Sequence, residues 1–333
     1  MGRLIILVLL GSGIWMGLWA FGSITYEREL RNWLADRQTL GWDAEIDTLV
    51  VEGFPNRFDT TVSGVHLADP VSGYAWTAPF VQTLSLAYKP HQVIAVLPPE
   101  HEFSTPDQSV SIAHEQARGS VFLEASTSLP LDRVVIIIDR LSLASSLGWD
   151  IAVTEGRFAV EREAATEASY RVGAALSAID VPDLVRALLD PDGRMPAGVE
   201  SLGLDASVRL DTQLDRHALD GPPPQIKDID LADLSLKWGD VILRTKGELG
   251  LDSAGALVGN LDVQATEWRQ ILDMASTSGL LGQEVPPTLV QALELASLKD
   301  GRPETLDVPL VFKNGTTSLG LIPIGPAPQL VFW

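Results

Sequence analysis

The sequence predicts a mostly β protein: an antiparallel, strongly curved sheet or half-barrel with a few covering helices, carried on one N-terminal membrane helix. Three observations predict it. Residues 4–22 carry no charge. From Trp42 onward apolar residues recur with a period of two, the spacing of half-buried strands. Turn residues (Pro70, Gly73, Pro90, Pro98-Pro99, Pro106, Pro130) punctuate this stretch, as they do in strand-dominated domains.

The uncharged run, LIILVLLGSGIWMGLWAFG, makes a helix of roughly 28 Å at about 1.5 Å per residue, close to the ~30 Å of bilayer hydrocarbon. Arg3 lies on one side of it and Glu27, Arg28 and Glu29 on the other. Positive charge just before a first apolar segment keeps that end in the cytoplasm, so the rest of the chain is expected outside. The rival reading is a cleaved signal peptide, with Ala20-Phe21-Gly22 as a weak cleavage site before Ser23; secretory apolar regions, however, run to only about 7–15 residues. Trp15 and Trp19 lie toward the exported half, and Trp19 suits the bilayer interface. Gly13 and Gly17 form a G-x-x-x-G pair, a route to a homodimer through close helix approach.

Residues 24–40 read as an amphipathic helix continuing the anchor outward. Tyr26, Leu30, Trp33, Leu34 and Arg37 share one face, Trp33 docks on the body, and Gly41 stops the helix. Strands follow. Ile46, Thr48 and Val50 alternate with polar residues, as do Leu84, Leu86 and Tyr88, Val110 and Ile112, and Val121 and Leu123. Val134 to Ile138 is a continuous apolar run, expected to be covered on both faces. Ile151-x-Val153 and Phe158-x-Val160 are expected to flank a hairpin turn at Glu155-Gly156. The clearest hairpin spans Val241 to Ala265, with apolar odd positions on either side of Asp252-Ser253-Ala254-Gly255. A second turns at Asn314-Gly315, the strongest short hairpin signal, setting Leu310 opposite Leu319 and Val308 opposite Leu321. Helices are expected at 181–189, 267–281 and 288–298. The last carries Leu289, Ala292, Leu293 and Ala296 on one stripe and is joined to its predecessor through Gly282 and Pro286-Pro287. The organisation is therefore a membrane anchor at 1–23, a linker helix at 24–41, an N-terminal β-rich half at 42–180, and a C-terminal β-rich half at 181–333 with a helical hairpin at 267–298. Pro222-Pro223-Pro224, a stiff extended connector, is the best candidate boundary, with the run around Ser177 to Pro196 second.

With 333 residues the chain supports one large β domain or two smaller ones. Its net charge of −20 excludes nucleic acid as a partner and disfavours broad electrostatic attachment to anionic lipid. With no cysteine, thiolate nucleophiles, thiolate metal sites and iron–sulfur clusters are excluded.

The chemistry of an enzyme is not written in local motifs. None of the five histidines is paired at helical ligand spacing, and His114-Glu115 lacks the second histidine of a zinc motif; they read as surface or strand histidines. No G-x-S-x-G elbow or phosphate-binding loop occurs. The 44 acidic residues solvate polar strand faces. No catalytic, cofactor-binding or metal-ligating residue is expected. The densest local pattern is Gly53-Phe54-Pro55-Asn56-Arg57-Phe58-Asp59. It reads as an edge-strand kink whose aromatics plug one end of the core, or as a contact surface. Phe54, Arg57, Phe58 and Asp59 are the candidate ligand or partner contacts, with Arg57 and Asp59 on one strand face. Leu243, Leu249, Leu261 and Leu310 are the candidate lining of an apolar groove.

The strings Gly53–Asp59 with Thr60-Thr61, Ala75-Trp76-Thr77-Ala78-Pro79-Phe80, and Lys89-Pro90-His91-Gln92-Val93-Ile94-Ala95-Val96 resemble domain-of-unknown-function family 2125, a family of membrane-anchored bacterial envelope proteins. The resemblance implies the bacterial inner membrane, with the bulk of the chain periplasmic. It carries no established activity and hence no catalytic residue. A weaker likeness, to AsmA-like envelope proteins, rests on Gly247-Glu248-Leu249-Gly250-Leu251-Asp252 leading through Gly255 to Leu257 and Gly259, with a helix following. That likeness implies a grooved sheet that handles lipid. The leading expectation is a non-enzymatic binding protein whose apolar sheet face holds an acyl chain; the alternatives are a scaffold binding another envelope protein and, last, a hydrolase of periplasmic polymers.

Overall fold

A computed structural model of the chain describes residues 2–164, 166, 168–219, 224–252, 255–278, 287–299, 302–320 and 322–329. The protein is mostly antiparallel β, with helices and one long apolar N-terminal helix. It divides into two compact units, residues 1–125 with 136–148 and residues 126–135 with 149–333.

The first unit begins with α1 (Gly2–Thr39), a single unbroken helix. The stretch expected to cross the membrane and the stretch expected to dock are thus one rod. It ends where Gly41 takes a left-handed φ of 90° and Trp42 donates its N–H to the Arg37 carbonyl, the six-to-one closure of a Schellman cap. The strands are β1 (Asp43–Glu45), β2 (Thr48–Glu52), β3 (Arg57–Asp69), β4 (Tyr74–Leu86), β5 (Lys89–Val96), β6 (Glu100–Ser104), β7 (Ser109–Ala113), β8 (Gln116–Leu123) and the later part of β9 (Leu131–Ser145). β3 is the spine. It pairs antiparallel with β1 and β2 on one side and with β4 on the other. The Leu86 end of β4 then pairs with β5, and its Tyr74 end with β6. β5 continues to β8.

The outer half of α1 lies on one face of this sheet. Leu30, Trp33 and Leu34 face Ile46, Leu49, Val62, Val65, Leu67 and Val81. The phase expected for β2 is inverted: Leu49 is buried while Thr48 and Val50 are exposed. The cause is a kink. Gly64 sits at φ 60°, and a Cβ there would meet the Asp47 carboxylate. The inward face therefore passes from Val62 to Val65 and Leu67, and from Ile46 to Leu49, across the kink. The two-sided cover expected for Val134–Ile138 is also absent, since Ile136 is exposed.

The second unit is a meander in which each strand pairs antiparallel with the next: β10 (Asp150–Arg162), β11 (Ser169–Asp180), β12 (Gly198–Leu210), β13 (Ile226–Trp238), β14 (Val241–Leu251), β15 (Leu257–Thr266), β16 (Thr305–Lys313), β17 (Thr316–Leu319) and β18 (Ile322–Pro326). The hairpin expected at Glu155-Gly156 does not form. Both residues continue the ladder, opposite Ser177 and Leu176, and β10 runs straight through. The hairpin of β14 and β15 forms as read, with Leu251 opposite Leu257; Ser253 and Ala254 of its turn lie outside the described residues. Leu310 pairs with Leu319. The expected Val308–Leu321 pair involves a residue outside the described set, as do Pro222, Pro223, Gly282 and Pro286.

Among the described residues, three α-helices decorate this unit: α2 (Asp183–Leu189), α3 (Trp268–Thr277) and α4 (Pro287–Lys299). α3 and α4 cover the sheet through a core of Trp268, Leu289, Leu293, Ala265, Leu306 and Val308. A second cluster joins Ala206, Leu231, Leu257, Leu261, Phe312 and Ala327. A third gathers Met195, Val199, Trp238 and Val241.

Candidate functional site

The residues singled out in Gly53–Asp59 meet the apolar part of α1. Trp15 donates its indole N–H to the Pro55 carbonyl at 2.8 Å, and Trp19 donates to the Arg57 carbonyl at 2.8 Å. Phe54 stands edge-on to Trp19, with centroids 5.3 Å apart. Phe58 stacks between Trp19 at 6.1 Å and Tyr26 at 6.5 Å. Gly22 makes room for it: a Cβ at that position would come within 2.7 Å of the Phe58 ring. The Phe54–Pro55 bond is cis.

Alternation along β3 sends Phe58 to the α1 face and its neighbours Arg57 and Asp59 to the other. There Arg57 Nε donates to Asp59 Oδ1 at 3.0 Å. This second face carries a cleft of about 340 Å³ lined by Arg57, Leu84, Leu86, Gln92, Val93, Ile94 and Phe122, with Ser85. Cross-strand register explains the grouping. Arg57 is opposite Leu86, Leu84 opposite Ile94, and Gln92 opposite Phe122. Arg57 is the one charged residue among these lining groups. The volume falls at the lower end of the range for small-molecule sites, and such sites are mostly apolar with a few fixed polar groups. A cleft of this kind suits an apolar chain with an anionic head beside a guanidinium.

The four leucines expected to line a groove separate. Leu249, Leu261 and Leu310 pack in one cluster with Leu257 and Phe312, whereas Leu243 packs beneath α3 and α4. Gly13 and Gly17 face open space, with nothing within 4 Å of a Cβ built on either.

Sequence reasoning missed the cleft, because its lining comes from four strands whose pairing only the fold reveals. It also missed a histidine pair. His101 and His114 make a tilted, T-shaped pair with ring centroids 5.6 Å apart, and the Trp76 ring centroid lies 6.1 Å from that of His101. His114 is 7% exposed, and neither ring nitrogen has a hydrogen-bond partner among the described residues. Burial, and after it repulsion from His101, holds the His114 pKa below the ordinary histidine value; burial does the same for His101. The reading of these residues as ordinary surface or strand histidines is thus corrected for His114. Among the described residues no group of three or more His, Asp or Glu side chains is placed to hold a metal.

A family model described as "Uncharacterized protein conserved in bacteria (DUF2125)" matches residues 19–328. No curated protein and no solved structure matches the chain, so the AsmA-like hairpin likeness gains no support from them.

Proposed function

The chain belongs to the DUF2125 family of bacterial proteins, and from that premise we propose that it is a non-enzymatic, membrane-tethered binding protein that takes up the acyl chain of a phospholipid beside its own anchor. The reading sets the N-terminus in the cytoplasm and the β units on the periplasmic side of the inner membrane, following Arg3 and the uncharged run. One observation carries it: the apolar cleft on β3, β4, β5 and β8 has at its edge Arg57, whose own carbonyl is bonded to Trp19 of the anchor. The cleft is therefore level with the end of the apolar run, where lipid is the nearest apolar ligand. The guanidinium, bonded to Asp59 through Nε, keeps further N–H donors that suit a phosphate headgroup. A scaffold role for the same loop is less favoured, because the Pro55 and Arg57 carbonyls already serve the anchor.

The test is native mass spectrometry of the full-length protein extracted in mild detergent. A stoichiometric phospholipid adduct is expected. Ile94→Glu should weaken it roughly fivefold or more, since leaving a polar group unpaired in an apolar site costs about 1–3 kcal/mol and about 1.4 kcal/mol is tenfold. Wild-type protein that carries no lipid would end this reading.

A further inference from the structure

We propose that the β2–β3 loop and the first residues of β3 (53–58), together with the β4–β5 turn at Leu86–Lys89, are sunk into the bilayer, so that lipid is the solvent of this end of the sheet. The inference rests on the reading of α1 as the membrane anchor.

The argument is one of length. The charge-free part of α1 lies between Arg3 and Glu27. Crossing a hydrocarbon layer of ~30 Å takes about 20 helical residues, so the layer must reach at least to the neighbourhood of Gly22. Trp15 lies seven residues earlier, about 10 Å deeper at 1.5 Å per residue. Its indole is bonded to Pro55. If that loop were in water, only residues 4–15 would remain to span, a rod of roughly 18 Å. That is too short.

The chemistry of the loop agrees. Irregular backbone survives at membrane depth only where its polar groups are satisfied by protein. Here the Gly53 carbonyl accepts from the Arg57 N–H, the Asn56 carbonyl from the Ala87 N–H, and the Pro55 and Arg57 carbonyls from the two indoles. Phe54 at the tip is 50% exposed, and Tyr88 on the neighbouring turn is 59% exposed. In water the exposed parts of these rings are bare apolar surface; at a bilayer interface they are anchors. The Arg57 guanidinium, held by Asp59, has a stem long enough to keep its head toward the interface. The opposite end of the β3–β4 hairpin is built otherwise. Val71, in the turn there, is 90% exposed, and Asp69 accepts hydrogen bonds from the Val71 and Ser72 N–H groups. Thirteen strand residues place that turn about 40 Å away.

The chain has no cysteine, so single-cysteine variants label cleanly. Full-length Asn56→Cys, Tyr88→Cys and Val71→Cys are each spin-labelled and reconstituted in vesicles of phosphatidylethanolamine and phosphatidylglycerol. Collision with oxygen and with a water-soluble nickel chelate is then measured. At 56 and 88 nickel access is expected to fall severalfold below that at 71, with oxygen access higher. Nickel access at both 56 and 88 equal to that at 71 overturns the inference. Because 56 and 88 lie on different turns, misfolding of one variant leaves the other as the test. A lipid-exposed loop without a bound phospholipid would uphold insertion and sink the cleft reading; an aqueous loop with bound phospholipid would do the reverse.

Discussion

Two indole N–H groups on α1 decide where the 53–58 loop sits, and neither partner was legible from local pattern. The aromatic bracket around Pro55 marked the loop as unusual, and the period of two put Arg57 and Asp59 on one face, where they do pair. Trp15 and Trp19, however, lie some 40 residues away from the carbonyls they serve. A tryptophan near the end of an apolar run reads as an interface residue, so its composition concealed its protein contact. His114 escaped for a related reason. Its isolation in sequence hid its burial against His101. That burial gives a pH dependence. The folded state holds His114 below the ordinary pKa of about 6.5, so the unfolded chain binds the proton more readily. The contribution to stability is complete above that value and is lost as pH falls through it toward the lowered folded pKa. The thermal midpoint of the wild type is expected to drop further between pH 7.5 and pH 5.5 than that of His114→Phe. Equal drops in a calorimetric comparison would show that the buried ring does not titrate as argued.

At the scale of elements, alternation located strands well and their phase less well. β14, β15 and the Asn314-Gly315 turn follow directly from pattern and turn chemistry, because each strand has one wet and one dry face. β2 departs from its expected phase because the kink lies in its partner strand β3, at Gly64 beside the Asp47 carboxylate, and the residues of β2 themselves carry no sign of it. Glu155-Gly156 looked like a turn, yet the ladder to β11 outweighs the local preference of one glycine. The stripe on α4 was readable because helical spacing alone sorts its faces. Leu293 is buried in the cluster with Trp268 and Leu289, whereas Leu295, two positions on, is 71% exposed. Leu293→Ala should cost about 2–5 kcal/mol, the usual toll of a core leucine, while Leu295→Ala should stay within about 0.5 kcal/mol. Urea midpoints of the two variants, followed by tryptophan fluorescence, separate these outcomes. Similar midpoints would mean that α4 does not cover the sheet as described.

Across the whole molecule, charge and anchor act on the membrane in opposite directions. A formal charge of −20 repels an anionic bilayer, so the membrane attachment proposed above rests on apolar contact: the uncharged run of α1 and, by the inference above, Phe54 and Tyr88. This division predicts how the protein responds to salt. Electrostatic attachment weakens as ions shorten the screening length from about 10 Å at 0.1 M to about 3 Å at 1 M. Here the same change weakens only repulsion. Membranes washed in ~1 M salt should therefore retain the full-length chain, and mild detergent should release it. Deleting residues 4–22 removes the run of roughly 28 Å and leaves two short apolar tips against a large acidic surface. That variant should appear mainly in the soluble fraction, with its residual binding rising rather than falling as salt is added, because salt screens the repulsion while the tips still bury apolar area. Sedimentation of both forms across a salt series checks the claim. Release of the full-length chain by salt would mean that local basic groups, not the helix, hold it to the membrane.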